Sequence, residues 1–151
     1  MRAYLDSDKI QVSLYHDCIK KTHKMYVPNV FAFEWESDFL SVTRAAFVHE
    51  YEIKISRSDF RLDLKKHRHD VLISKEECER PNFFWYVAPE NIIPIKEVPR
   101  HAGLMIASGR SLRIVKKAPS LHREKISRKL AVKILTSYQY KYWNLRLGKK
   151  A

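Results

Sequence analysis

The seven residues at 83–89, Phe-Phe-Trp-Tyr-Val-Ala-Pro, constrain this chain more than any other segment. A continuous apolar run of strand length has no face to turn towards water. It marks a strand covered on both sides, which needs helices above and below a sheet. The expected fold class is therefore α/β.

The neighbouring segments read as the other layers. Residues 8–25 carry Ile10, Leu14, Cys18 (or Ile19) and Met25 at helical spacing, with Ser7 as cap and Pro28 as the stop. From Val30 to Val42 aromatic and acidic residues alternate as in a strand. Thr43 to Phe47 forms a turn into a second strand, FVHEYEIKIS, giving a hairpin or two adjacent strands. Ser58 caps a helix, DFRLDLKKHRH, with Phe60 and Leu64 inward and basic residues outward. After the polar loop SKEECERPN and the apolar strand, Pro89, Pro94 and Pro99 punctuate a loop. GLMIAS (103–108) and LRIVKKA (112–118) are two further strands around a turn at Gly109. Pro119 and Ser120 open a long basic helix over 119–147, with Ile126, Leu130, Ile134 and Tyr138 inward, acting mainly as a cover for the sheet whose outer lysines and arginines add non-specific affinity, a phosphate-tracking arm being the alternative. Without repeats or a boundary, residues 1–151 read as one domain, a central mixed sheet flanked by helices.

Composition narrows the functional classes. No segment has the ~18 apolar residues of a membrane helix. The opening MRAYLDSDKI lacks a basic region followed by an apolar run, so a secretory signal is not expected and a cytoplasmic location is. Cys18 and Cys78 lie far apart and suit free thiols in a reducing compartment. His67 and His69 sit in a basic run with no flanking cysteine and read as surface residues, zinc being the alternative. The net charge of +12 points to a polyanion as partner, against the blander reading of a solvated basic surface.

Chemistry concentrates in the two acidic strands. In VHEYEIKIS, alternation sets Glu50, Glu52 and Lys54 on one face and Tyr51, Ile53 and Ile55 on the other. In the preceding strand Glu34, Glu36 and Asp38 share a face opposite Phe33, Trp35 and Phe39. If the polar faces align, up to five carboxylates converge. Such a cluster raises its own pKa values unless a cation is present, and a hard oxygen-seeking ion such as Mg²⁺ resolves the conflict. Lys54 is then two residues from Glu52, where an ammonium meets an attacking water or a phosphate. The competing reading is an ordinary exposed charged strand.

Ser37-Asp38 followed by Glu52-Ile53-Lys54 resembles motifs II and III of the PD-(D/E)XK nuclease superfamily, with Ser37 where the superfamily carries proline. The stretches EYEIKISRSDFRLDLKKHRH and NFFWYVAPENIIPIKEVPRHAGLMIAS resemble bacterial DNA-repair proteins of the MmcB type and related phage-encoded proteins. The similarity covers roughly residues 8 to 118.

This resemblance implies a restriction-endonuclease-like fold and a divalent-metal-dependent DNA endonuclease in phage or bacterial DNA processing or repair. Asp38 and Glu52 become ligands of Mg²⁺, for which Mn²⁺ substitutes, and Lys54 the catalytic lysine. The superfamily often adds a first-helix glutamate, where this chain offers Asp8, Gln11 and Asp17; either Glu36 takes that role as ligand and catalytic residue or the site is incomplete. Asp59 and Asp63 cap or salt-bridge the following helix. Arg57, Arg61, Lys65, Lys66, Lys129 and Lys133 are the expected nucleic-acid contacts. DNA is the expected partner with RNA as alternative, and a homodimer is the open choice of assembly. A non-catalytic nucleic-acid-binding module on the same fold is the competing function.

Overall fold

The structure is a computed structural model, and it describes residues 5–150. Residues 1–4 and 151, part of the expected domain span and of the opening Met1–Ile10 stretch, lie outside the described residues. The elements are α1 (Ser7–Lys20), β1 (Met25–Phe31), β2 (Glu36–Val42), β3 (Val48–Ile53), α2 (Arg57–Asp63), α3 (Arg68–Ile73), β4 (Phe83–Pro89), β5 (Ala102–Ser108), β6 (Ser111–Lys116) and α4 (Arg128–Arg146), with a 3₁₀ turn at Ile95–Glu97. The strands form a mixed sheet in the order β1-β2-β3-β4-β5-β6. β3, β4 and β5 run parallel, and the pairs β1/β2, β2/β3 and β5/β6 are antiparallel. The α/β class and the mixed sheet with flanking helices follow the sequence reading.

The apolar run is β4, and residues Phe84 to Ala88 are buried on both sides. On one face Trp85 and Val87 meet Ile10, Leu14 and Cys18 of α1, with Phe39, Tyr51 and Met105. On the other, Phe84, Tyr86 and Ala88 meet Phe60 of α2 and Leu72 of α3. A third cluster joins Leu130 and Ile134 of α4 to Val27, Val30, Leu40 and Val48. Each fully buried aliphatic or aromatic side chain contributes ~1.5–3 kcal/mol by leaving water.

Several boundaries differ from the sequence expectation. The first helix stops at Lys20, and the chain turns through Thr22 (φ 57°) before Met25 enters β1. Pro28, expected as a helix stop, lies inside β1, which its place at the sheet edge permits because no partner needs its missing N–H. The expected strand over 30–42 is the end of β1, a link, and β2. The caps are Asp6 and Ser56 instead of Ser7 and Ser58; Ser56 accepts the Asp59 N–H. The basic helix is two short ones, α2 and α3.

The last helix begins at Arg128 under a Ser127 cap, not at Pro119. Residues 119–127 are held extended by Asn82, whose side-chain amide donates to the His122 and Glu124 carbonyls (3.0 and 2.8 Å), and by the Leu121 N–H bonding Asn82 O. A local propensity reading had no access to these bonds. Of α4, Leu130 and Ile134 are buried, so the expected inner stripe ends before Tyr138, which is exposed. Among the described residues no helix is long and apolar enough to cross a membrane.

Candidate active site

Asp38 sits where the β2/β3 ladder gives out. Main-chain pairing runs from Val42↔Val48 to Phe39↔Tyr51. Beyond it the Asp38 carboxylate stands in for a main-chain acceptor, taking the Ile53 N–H at 2.8 Å. Gln11 of α1, one of the polar residues noted in the first helix, donates to the Asp38 main-chain carbonyl at 2.8 Å. Among the described residues no partner holds the second carboxylate oxygen of Asp38. Burial, and secondarily the charge of Glu52, push its pKa up to about 6.

Glu52 is buried, as is Lys54, which follows the end of β3. The Lys54 ammonium lies 2.8 Å from Glu52 Oε1. Arg68, the first residue of α3, clamps the same carboxylate from Nη1 to Oε2 (3.0 Å) and from Nη2 to Oε1 (2.8 Å). Burial alone would raise the Glu52 pKa, but the attraction of Arg68, then Lys54, outweighs it and the net shift is downward.

Behind these cations lies Asp63, at the end of α2 and fully buried. It receives Arg68 Nη2, Lys54 Nζ at 3.2 Å, Tyr86 OH at 2.6 Å and His69 Nε2 at 3.1 Å. Exposed Lys66 adds a contact at 3.4 Å. The next ring along is His101, whose Nε2 is 2.8 Å from His69 Nδ1. Burial lowers both histidine pKa values to about 4, so both rings are neutral. With His69 Nε2 donating to Asp63, His69 Nδ1 accepts from His101 Nε2. His69 is thus a buried bridge, correcting its expected surface role, whereas His67 is exposed.

Glu34, Trp35, Glu36, Asp38, Glu52, Lys66, His67 and Arg68 line one cavity of about 420 Å³. Of the five carboxylates expected to converge, four line it. The fifth, Glu50, is fully buried beneath, where Trp35 Nε1 (2.6 Å) and Ser37 Oγ (2.8 Å) donate to its Oε1. Among the described residues its Oε2 has no hydrogen-bond partner, and burial pushes its pKa up to about 7. Glu50 is a buried acid that keeps its proton up to about pH 7 and adds no carboxylate to the cavity wall. Trp35, expected opposite the acidic face, forms part of the cavity wall because it lies in the link between β1 and β2, where strand alternation does not apply.

The structure brings Asp38, Glu52 and Glu36 to one wall with Lys54 on Glu52. Of the expected nucleic-acid contacts, Lys66 lines the cavity; Arg57, Arg61 and Lys65 are exposed on or beside α2 away from its lining. Lys129 lines a separate cavity of about 620 Å³ with Lys75 and Arg80, which holds none of the Asp38–Glu52–Lys54 trio. Lys133 reaches Phe33 O at 3.3 Å. Sequence reasoning missed Arg68, His101 and Tyr86; a buried Arg in a run of exposed basic residues leaves no periodic signal.

Among the described residues no three His, Cys, Asp or Glu side chains are grouped to hold a cation. The pair Asp38 and Glu52 nonetheless matches the modest demand of Mg²⁺, which takes one or two carboxylates and keeps water and phosphate as its other ligands.

No family model matches the chain, and no curated protein does. Among solved structures it is similar to a protein of unknown function from Silicibacter pomeroyi, with a TM-score of 0.71, 17% identity, and coverage of 95% of this chain and 93% of that one. At that identity the likeness concerns the fold.

Proposed function

We propose that the chain is a divalent-metal-dependent phosphodiesterase acting on DNA, with the resemblance to PD-(D/E)XK nucleases and DNA-repair proteins suggesting a role in bacterial or phage DNA processing. One observation carries the reading: Asp38 and Glu52 share a cavity wall, Lys54 rests on Glu52, and Lys66 and Arg68 complete the lining. Asp38, Glu52 and, at the rim, Glu36 would hold Mg²⁺ or Mn²⁺, which when bound supplies Lewis acidity and a lowered pKa for water. Asp38 contributes its free oxygen. Lys54, whose ammonium is held by Glu52 and Asp63, would orient water or a phosphate oxygen with its remaining proton. Arg68 and Lys66 meet the phosphodiester as cations.

Wild-type protein with Mg²⁺ or Mn²⁺ is expected to cut at least one of supercoiled, branched or single-stranded DNA. A Glu52→Ala, Lys54→Ala double variant giving the same products overturns the catalytic reading. Because an ionised Asp38 is needed and its pKa is raised to about 6, calorimetric Mg²⁺ affinity should fall as pH drops through that value, and Asp38→Asn should abolish the dependence.

A second reading has its own observation. Both oxygens of Glu52 are engaged by Arg68 and Lys54, so its charge is already compensated by protein. A nucleic-acid-binding module on this fold needs no more. Absence of any Mg²⁺ heat together with retained DNA binding favours it, and RNA in the same binding series separates the two nucleic acids.

A further inference from the structure

We propose that the carboxyl-terminal half of α4 is a single-strand-binding arm whose exposed rings stack on unpaired bases. The inference rests on the nucleic-acid reading above and names the form of substrate that the same protein engages.

Four rings within six residues stand in solvent: Tyr138 is 50% exposed, Tyr140 70%, Tyr142 49% and Trp143 52%. Aromatic side chains ordinarily dominate cores and interfaces, and among the described residues these four belong to none of the core clusters. The charge beside them has one sign. From Lys125 to Ala151 the sequence has eight Lys and Arg and no Asp or Glu.

Helical spacing decides what such a surface fits. Arg128, Val132, Leu135, Gln139, Tyr142 and Arg146 follow one another at steps of four, three, four, three and four residues, so they share one face of α4; Trp143 flanks it against Tyr142, and Tyr138 and Tyr140 lie to either side. A membrane-surface helix keeps its cations off the apolar face, and a coiled-coil seam keeps its a and d positions apolar. Here arginine and glutamine interrupt both patterns. Rings interleaved with cations suit a chain of phosphates carrying accessible bases. A duplex hides its base faces in its own stack, so the rings select a single strand.

The first half of α4, from which the arm projects, packs towards the cavity wall. Lys133 bonds the Phe33 carbonyl at 3.3 Å and lies 5.7 Å from the Phe31 ring centre; the Phe33 and Trp35 rings are 5.4 Å apart, and Trp35 lines the cavity. Lys141 donates to the Asn29 carbonyl, fixing the start of the exposed half against β1.

The test is fluorescence anisotropy of a labelled single strand and its duplex, ~20 nucleotides long, in EDTA so that cleavage is silent. A Tyr142→Ala, Trp143→Ala variant keeps every charge. Its single-strand affinity should fall about tenfold or more while duplex affinity is unchanged. Equal loss on both, no loss, or no wild-type single-strand binding overturns the proposal. Unchanged strand binding overturns it too, in favour of a second copy if sedimentation shows the variant newly monomeric, or of a lipid surface if it loses flotation with anionic vesicles. The catalytic reading fails separately. Wild-type protein that binds with the expected contrast but cuts nothing leaves the arm standing, and cleavage lost in Glu52→Ala, Lys54→Ala with undisturbed binding in the ring variant leaves catalysis standing.

Discussion

Glu50 and Glu52 lie two residues apart on one strand, yet their charges are handled oppositely. Burial dominates Glu50, whose carboxyl has two neutral donors and a pKa near 7, whereas Arg68 and Lys54 hold Glu52 below its ordinary range. The folded state therefore binds the Glu50 proton more tightly than the unfolded chain, whose ordinary value is 4.5. Its stabilisation is full below that value and is lost as pH climbs to about 7, on the order of 3 kcal/mol. His69 and His101 work in reverse: with folded pKa values near 4 against an ordinary 6.5, their stabilisation is present above 6.5 and lost as pH falls towards 4. The wild-type profile mixes these opposing slopes. Glu50→Gln keeps an acceptor for Trp35 and Ser37 without a proton to lose. Urea unfolding should show the variant gaining on wild type between pH 4.5 and 7.5; parallel pH profiles would refute this account of Glu50. Strand alternation made the proximity of Asp38, Glu52 and Lys54 legible in the sequence. It could not reveal that Arg68 and Asp63 close on Glu52 and Lys54, because those side chains arrive from helices whose docking is a tertiary matter.

At the scale of elements, Gly103 shows what a glycine inside a strand is for. A Cβ there would lie 2.5 Å from Trp85 Cε3 and 2.6 Å from the Ala118 main-chain nitrogen. The backbone of Ala118 cannot swing aside, and Trp85 is tied to His49 Nδ1 at 3.0 Å. Gly103→Ala should cost ~1–3 kcal/mol by overpacking, read as a lowered melting temperature; an unchanged one would mean that the chain leaving β6 at Ala118 yields. The elements most legible in the sequence were those with self-contained signals: the apolar run of β4, the β5/β6 turn at Gly109 (φ 59°), and the apolar spacing of α1. β1 was hidden because its proline is tolerated through edge position, a property of the sheet. The late start of α4 was hidden because Asn82, some forty residues earlier, holds the chain before it extended.

At the scale of the molecule, the proposed nucleic-acid function together with a net charge of +12 predicts binding governed by phosphate neutralisation. Affinity for DNA should fall by a factor of about a hundred or more between ~50 and ~200 mM salt, and a flat response would count against nucleic acid as the ligand. The sheet order carries a different consequence. Every strand pairs with its neighbours in sequence, so none waits for a later one to be inserted between. The longest-range closures are those of α1 onto β5 and β6 and of α4, where Lys133 meets Phe33 and Lys141 meets Asn29 across 100 and 112 residues. During synthesis such a sheet can be laid down strand by strand as the chain emerges, with local pairings favoured over distant ones. All the residues gathered around Glu52, from Asp38 to His101, have then been synthesised before the first turn of α4 is.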